Sequence, residues 1–420
     1  MRGLSPSAHG RLIATQLHVR MRIATSPAPT SAPLRVALYS HDSVGLGHQR
    51  RNLAIAHALR THLPALTGRE VTGLLLTGVE RVVGHLPADF DVVRLPGIAK
   101  DAHGYAPREM SVPMTDLIDV RRAILSGALG ALAPDLVVVD RHAFGVDDEL
   151  LEPLRRLRRE QPGTRVVLGL REVLDEPEVA VREWRRVGSE RVRELFDAIW
   201  VYGDERVTDL RATGAVPAEL HDLVVHTGYL SADRATRSFL RELQRPYLLT
   251  TVGGGHDGED LCRAAVQAPV PEGLGHVVVV GPQATPSRRE ELQALAGPRT
   301  EVLDEVPEGL LAIRSAEAVA CMGGYNTVCE VMSTDRPAVV VPREEPRQEQ
   351  LIRARSLEAT GALDVIRAAE LTPERLGRWF ADNLHRSVDR SHLRRDGLAA
   401  VAGHAADLLA TTPQEIRHAV

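Results

Sequence analysis

A chain of 420 residues, 44% hydrophobic and 25% charged, has the makeup of a globular protein and is too long for one ordinary core, so two domains are expected. A formal net charge of −5 argues against a nucleic-acid binder, and no apolar run reaches the roughly 18 residues that a membrane-spanning helix needs. Cys262, Cys321 and Cys329 show neither metal spacing nor an even disulfide set, which points to a reducing cytoplasm.

Residues 1–33 are basic and Ser/Ala/Pro-rich toward their end, without a signal-peptide core. They read as a disordered N-terminal extension, or as the product of an upstream start codon with translation beginning nearer Met21. From Leu34 short apolar runs alternate with segments of helical period: Arg35–Ser40, Val71–Leu76, Asp91–Arg94, Leu136–Asp140, Arg165–Leu170, Ile199–Tyr202 and Leu223–His226. A second series follows the polar stretch Ser231 to Arg245: Tyr247–Thr251, His276–Gly281, Glu301–Asp304, Ala318–Met322, Ala338–Pro342 and Leu363–Ile366. Strands alternating with helices predict parallel sheets covered on both faces. The fold class is α/β, with two Rossmann-like domains, 34–235 and 236–420, facing each other across a cleft. The helical tail from Leu371 is expected to pack back on the first domain.

The first strand runs into His41-Asp42-Ser43-Val44-Gly45-Leu46-Gly47-His48, and Leu53, Ala56, Leu59 and Leu63 then recur at helical spacing. Gly45-x-Gly47-x-x-Arg50 departs from the dinucleotide fingerprint at its third glycine, and the second strand ends without an acid for a ribose, so NAD is not the expected ligand. A histidine in this turn suits the removal of a proton from a hydroxyl. His48 is the first candidate, with His41 and Asp42 as rivals. Asp140, at a strand end, is positioned to orient the base. Asp89-Phe90-Asp91 precedes its strand and reads as a solvated turn, so no metal site is expected. Gly97 to Met114, with Tyr105, is long for a loop, and loops of that length often serve as lids or binding loops. Leu170 to Asp175 follows another strand end and joins the same rim.

In the second half, Thr251-Val252-Gly253-Gly254-Gly255 is a glycine turn after the first strand, suited to cradling a diphosphate. His226-Thr227-Gly228 reads as structural. Met322-Gly323-Gly324-Tyr325-Asn326-Thr327-Val328-Cys329-Glu330 predicts strand, glycine turn and helix. The glycine pair lets the backbone approach a ligand, and the helix start favours an anion. Thr327-x-x-Glu330 also fits a capping box, with Glu330 in the first turn, where a carboxylate suits a ribose diol. Glu349 and Gln350 fall at the start of the following helix, where acid and amide together grip sugar hydroxyls.

Gly-Gly-Tyr-Asn-Thr-Val-Cys-Glu, the strand ending at Pro342, and Glu349-Gln350-x-x-Arg353-Ala354 resemble the donor half of the GT-B glycosyltransferases, closest to the MurG-like group and the wider UDP-glycosyltransferases. The resemblance runs over about Tyr247 to Ile366, and Gly47-His48 resembles the cleft histidine of the other half. It implies Glu330 on the ribose and Glu349–Gln350 on the donor sugar, where the family has Asp-Gln followed by x-x-Asn-Ala. This chain has Glu for that Asp, and Arg353 for the Asn. The implied activity is inverting, metal-independent transfer from a nucleotide-diphosphate sugar, such as UDP-N-acetylglucosamine, to a hydroxyl acceptor. That sugar is a co-substrate, and no cofactor is implied. The acceptor is a small molecule or lipid-linked, with peripheral membrane contact left open. A nucleotide-sugar 2-epimerase and a non-catalytic sugar-nucleotide sensor are the alternatives.

Overall fold

The computed structural model describes residues 32–41, 47–79, 84–101, 104–235, 246–255, 257–306 and 308–411. The expectations for residues 1–31, Asp42 and Gly45 lie outside the described residues.

A first sheet is built from β1 (Leu34–Ser40), β2 (Val71–Thr77), β3 (Phe90–Arg94), β6 (Leu136–Asp140), β7 (Arg165–Arg171), β8 (Ala198–Tyr202) and β9 (Val224–His226). Between β3 and β6 lies a small hairpin, β4 (Ile98–Asp101) and β5 (Gly104–Pro107). The strand order is β3-β2-β1-β6-β7-β8-β9, with every pair parallel. The second sheet takes β10 (Tyr247–Thr251), β11 (Gly275–Val279), β12 (Thr300–Leu303), β13 (Ala318–Cys321), β14 (Ala338–Val340) and β15 (Asp364–Val365) in the order β12-β11-β10-β13-β14-β15, again all parallel. In both sheets the order reverses beside the first strand, between β1 and β6 and between β10 and β13. Loops at the carboxyl ends of those strands therefore flank a crevice, where open α/β sheets bind ligands.

The first lobe carries helices α1 (Gly47–Thr67), α2 (Met114–Leu132), α3 (Leu151–Glu160), α4 (Pro177–Val187) and α5 (Ser189–Leu195). The rest of the chain forms α6 (Glu259–Gln267), α7 (Pro286–Leu295), α8 (Gly309–Ser315), α9 (Tyr325–Met332), α10 (Glu349–Glu358), α11 (Pro373–Asn383) and α12 (Gly397–Ala410). The central strands are continuous apolar runs because helices cover both faces: β6 and β13 are buried at every position.

The core is not divided cleanly between the lobes. Leu53, Ile55 and Leu59 of α1, Val328 and Val331 of α9, and Val401 and Ala405 of α12 share one apolar cluster with strands of both sheets. After α11 the chain recrosses to the first lobe: Leu230 bridges Asp396, Tyr229 N–H donates to the Arg394 carbonyl at 2.8 Å, and α12 packs along α1.

Gly97 to Met114 is not the plain loop expected from sequence. It folds as the β4–β5 hairpin over a small cluster of Ile98, Leu117, Ile118 and Val146, with Tyr105 packed against it. Four-residue strands with no apolar alternation give little periodic signal, and Gly104, at φ 124°, adopts a backbone that other residues rarely reach. Asp89-Phe90-Asp91 lies at the amino end of β3, with Asp89 paired to Arg60.

Charged side chains also cross between the lobes. Arg353 of α10 donates to Glu172 at 2.6 and 3.2 Å, with both side chains buried, and to the Gly323 carbonyl at 2.9 Å. Burial alone would lower the Arg353 pKa, but Glu172 offsets this and holds the guanidinium firmly charged. Removing one partner strands a buried charge, whereas replacing both does not. Glu172→Ala is therefore expected to cost about 3–5 kcal/mol in urea unfolding, and an E172M/R353M double variant to recover most of that loss.

Candidate active site

The first cluster forms where β1 and β6 end. Asp140 closes β6, and α1 opens at Gly47 just across the switch point. His48 and Arg51 are three residues apart on one face of α1 and both reach Asp140. His48 Nδ1 lies 2.6 Å from Asp140 Oδ2. Arg51 binds the same carboxylate through both arms, Nε to Oδ1 at 2.8 Å and Nη2 to Oδ2 at 2.6 Å. Asp140 is fully buried, which by itself would raise its pKa, but Arg51 and then His48 hold it well below the carboxylate range. A permanently ionised Asp140 accepts Nδ1–H and so leaves His48 Nε2 as the free base.

His41 and His142 complete the cluster. The His41 ring lies edge-on to His48 at 5.0 Å and to His142 at 4.4 Å between centroids. Burial first, then the neighbouring imidazoles, push both well below the usual histidine pKa, so each is neutral at pH 7.

The second cluster surrounds a cavity of about 460 Å³ between the lobes, within the size range of small-molecule sites. Gly253, Gly254 and Gly255 line it after β10, and Gly324, Asn326, Thr327 and Glu330 line it after β13. Glu349 and Gln350 come from the start of α10, and Gly47, Arg50, Arg51 and Arg171 face it from the first lobe. Gly255, at φ 87°, packs so tightly that a Cβ would stand 2.4 Å from the Val280 carbonyl. His48, His41, Asp140, Gly323 and Tyr105 are not part of this lining. His48 adjoins it through Gly47, whereas Tyr105 belongs to the hairpin cluster.

Two sequence expectations change. Helix α9 starts at Tyr325 with Gly324, in an extended conformation, as its N-cap, so Glu330 is in the second turn and no capping box forms. A glycine can cap without a side-chain oxygen, which moves the helix start two residues ahead of the Thr327 signal. The glycine pair also divides its work. A Cβ on Gly323 would stand 2.9 Å from the Gln350 carbonyl, so this glycine admits α10, while Gly324 faces open space.

The acids of the site are already engaged. Glu330 is paired with Arg50, and Arg234 Nη1 approaches it at 3.5 Å. Asn326 Nδ2 donates to the Gly47 carbonyl at 2.8 Å, which joins the starts of α1 and α9. Glu349 is gripped by both arms of Arg171, at 2.9 and 2.6 Å. Gln350 Oε1 accepts the Arg343 N–H at 3.1 Å. The β7–α4 loop does not stand free at an acceptor rim: Asp175 binds Arg347 at 3.2 Å, and Glu183 binds Arg347 at 3.0 Å and Arg141 at 2.6 Å. Sequence reading missed Arg50, Arg51, Arg234 and His142, although Arg51 stands three residues after His48 on a predicted helix.

Burial alone would raise the Glu349 pKa, yet Arg171 and Arg353 bring it down from 4.5 to about 2. Burial lowers the Arg171 pKa, but a guanidinium stays charged at neutral pH, so the pair is ionic. A depressed carboxylate pKa means that the stabilisation is complete above pH 4.5 and is lost as pH falls toward 2. Glu349→Gln is expected to unfold more easily at pH 7, by roughly 1–3 kcal/mol, and the gap to wild type in urea denaturation should narrow steadily below about pH 4.5.

Comparison with known proteins matches residues 248–389 to the family described as "Glycosyltransferase family 28 C-terminal domain". A UDP-N-acetylglucosamine--N-acetylmuramyl-(pentapeptide) pyrophosphoryl-undecaprenol N-acetylglucosamine transferase of Corynebacterium efficiens is 27% identical over 180 residues, 43% of this chain and 49% of that protein. The enzyme of the same name from Rhizobium meliloti is 32% identical over 143 residues, 33% of this chain and 38% of that one. The chain thus spans about half the length, or less, of the curated relatives it matches. Among solved structures, a UDP-glucosyltransferase from Polygonum tinctorium superposes with TM-score 0.56 at 15% identity, over 91% of this chain and 100% of that one. A protein assigned as a UDP-N-acetylglucosamine 2-epimerase from Listeria monocytogenes superposes with TM-score 0.53, also at 15% identity, over 89% and 94%. The chain has the GT-B fold, and its residues 248–389 match the glycosyltransferase family 28 carboxyl-terminal domain.

Proposed function

We propose that this protein is an inverting, metal-independent glycosyltransferase that moves a sugar from a nucleotide-diphosphate donor, UDP-linked, to a hydroxyl acceptor. The observation that carries the reading is the His48–Asp140 contact of 2.6 Å, set beside a cavity where the start of α9, Glu330 and Glu349 converge. In this reading residues 236–420 bind the donor and residues 34–235 the acceptor. Glu330 takes the ribose, and Glu349 and Gln350 take the hexose, UDP-N-acetylglucosamine being the leading choice. The relatives' names support a UDP-sugar and leave both lipid-linked and small hydroxyl acceptors open. Among the described residues no helix is long and apolar enough to cross a membrane. In this reading contact with a lipid-linked acceptor is peripheral, on the cytoplasmic face.

The step follows from the arrangement. His48 Nε2 takes the acceptor proton as that oxygen bonds to the anomeric carbon. The bond from this carbon to the diphosphate breaks on the opposite face, and the electron pair leaves on the β-phosphate, so configuration inverts. Asp140 holds the imidazole in the required tautomer and stabilises the imidazolium. The N–H groups at the α9 start and the Gly253–Gly255 turn offset charge on the leaving group, a task that needs no metal ion.

His48→Ala should lower kcat by about 10²–10⁴-fold while leaving UDP affinity in calorimetry unchanged. A wild-type rate in that variant would overturn His48 as the base. Interconversion of the donor sugar with no acceptor present would instead assign epimerase chemistry.

A further inference from the structure

Arg50 has a position that base catalysis and ribose binding leave unexplained. It follows His48 by two residues on α1 and pairs with Glu330, which lies 280 positions away in the other lobe. Only its Nη2 makes this contact. Among the described residues, Nε and Nη1 donate to nothing, and the side chain keeps 29% of its exposure. Arg234 is different: it is 8% exposed and tied by Nε to the Leu230 carbonyl at 2.6 Å and by Nη2 to Asn326 Oδ1 at 3.4 Å. Of the two cations on Glu330, Arg234 is anchored by further bonds, whereas Glu330 is the one bonding partner of Arg50 among the described residues.

Arg50, Glu330, Asn326 and Thr327 line one cavity, so the Arg50 guanidinium and the start of α9 face the same space. There Tyr325, Asn326 and Thr327 present N–H groups without an intrahelical acceptor. Gly47, which opens the helix that carries Arg50, touches the same place through Asn326.

We propose that Arg50 is a ligand of the donor diphosphate and gives up Glu330 to the ribose when the donor binds. The proposal rests on the nucleotide-sugar reading above. A ribose diol claims both oxygens of Glu330 and displaces the Arg50 guanidinium. Breaking a partly buried ion pair is costly unless the freed charge finds a new partner, and the diphosphate arriving in the same cavity supplies it. During transfer the bond between the anomeric carbon and the diphosphate oxygen breaks with its electron pair, and Arg50 stabilises the charge that appears on the β-phosphate. The acceptor proton goes to His48, so one helix serves both ends of the displacement.

The test is calorimetry with uridine and with UDP on wild type, Arg50→Ala, Arg50→Lys and Arg50→Gln, alongside donor turnover and thermal unfolding. Arg50→Ala should bind uridine at least as tightly as wild type, since nothing competes for Glu330. It should bind UDP about tenfold or more weakly and lose roughly 10²-fold in kcat at saturating donor. Arg50→Lys should recover part of the UDP affinity. Arg50→Gln, which keeps a hydrogen bond to Glu330 without the charge, should behave as Arg50→Ala and replaces it if the alanine variant unfolds. UDP affinity and kcat unchanged in Arg50→Ala, or uridine and UDP weakened equally, would overturn the assignment while leaving the proposed function standing. A wild-type protein that binds neither UDP nor another nucleoside diphosphate would overturn both.

Discussion

Everything at the crevice depends on one buried carboxylate. Asp140 has no exposed surface, and a charge there is tolerated only because Arg51 meets it with both arms and His48 takes a remaining lone pair. These partners lie three residues apart on α1, so the contact fixes the rotation of that helix as well as the tautomer of one imidazole. With the rotation set, Arg50, about 100° around the helix from Arg51, faces the second lobe, and Leu53, Ile55 and Leu59 enter the shared core. The electrostatics of a single strand end thus places an imidazole, a cation and a hydrophobic face together.

A second constraint is the run of ion pairs between the β7–α4 loop and the loop leading into α10. Arg171, Glu172 and Asp175 on one side meet Glu349, Arg353 and Arg347 on the other, each with a partner of opposite charge. Buried pairs add little net stability, but they penalise any misplacement that separates them. We read them as setting the register of the two lobes, with Glu349, which lines the cavity, held between them. Arg353 stands where the resembled family has Asn. Its guanidinium is used for Glu172 and the Gly323 carbonyl, so this residue joins the lobes.

The strands were legible because each is an apolar run with a turn signal behind it, and the strand-end rule put Asp140 near His48 although 92 positions separate them. The start of α9 was misread because Thr327 and Glu330 imitate a capping box, whereas Gly324 caps by backbone conformation alone. The β4–β5 hairpin was missed because its strands are too short for alternation to register.

From sequence alone came two wound parallel sheets and the crevice at their reversals, because period and strand-end position are local properties of the chain. Only the tertiary structure decided which arginine meets which acid. Nearly all of the 51 basic residues are arginine, so composition singles out none of them, and pairs such as Arg50–Glu330 exist only once the lobes are docked. Their energies come from burial and distance, which no local pattern encodes.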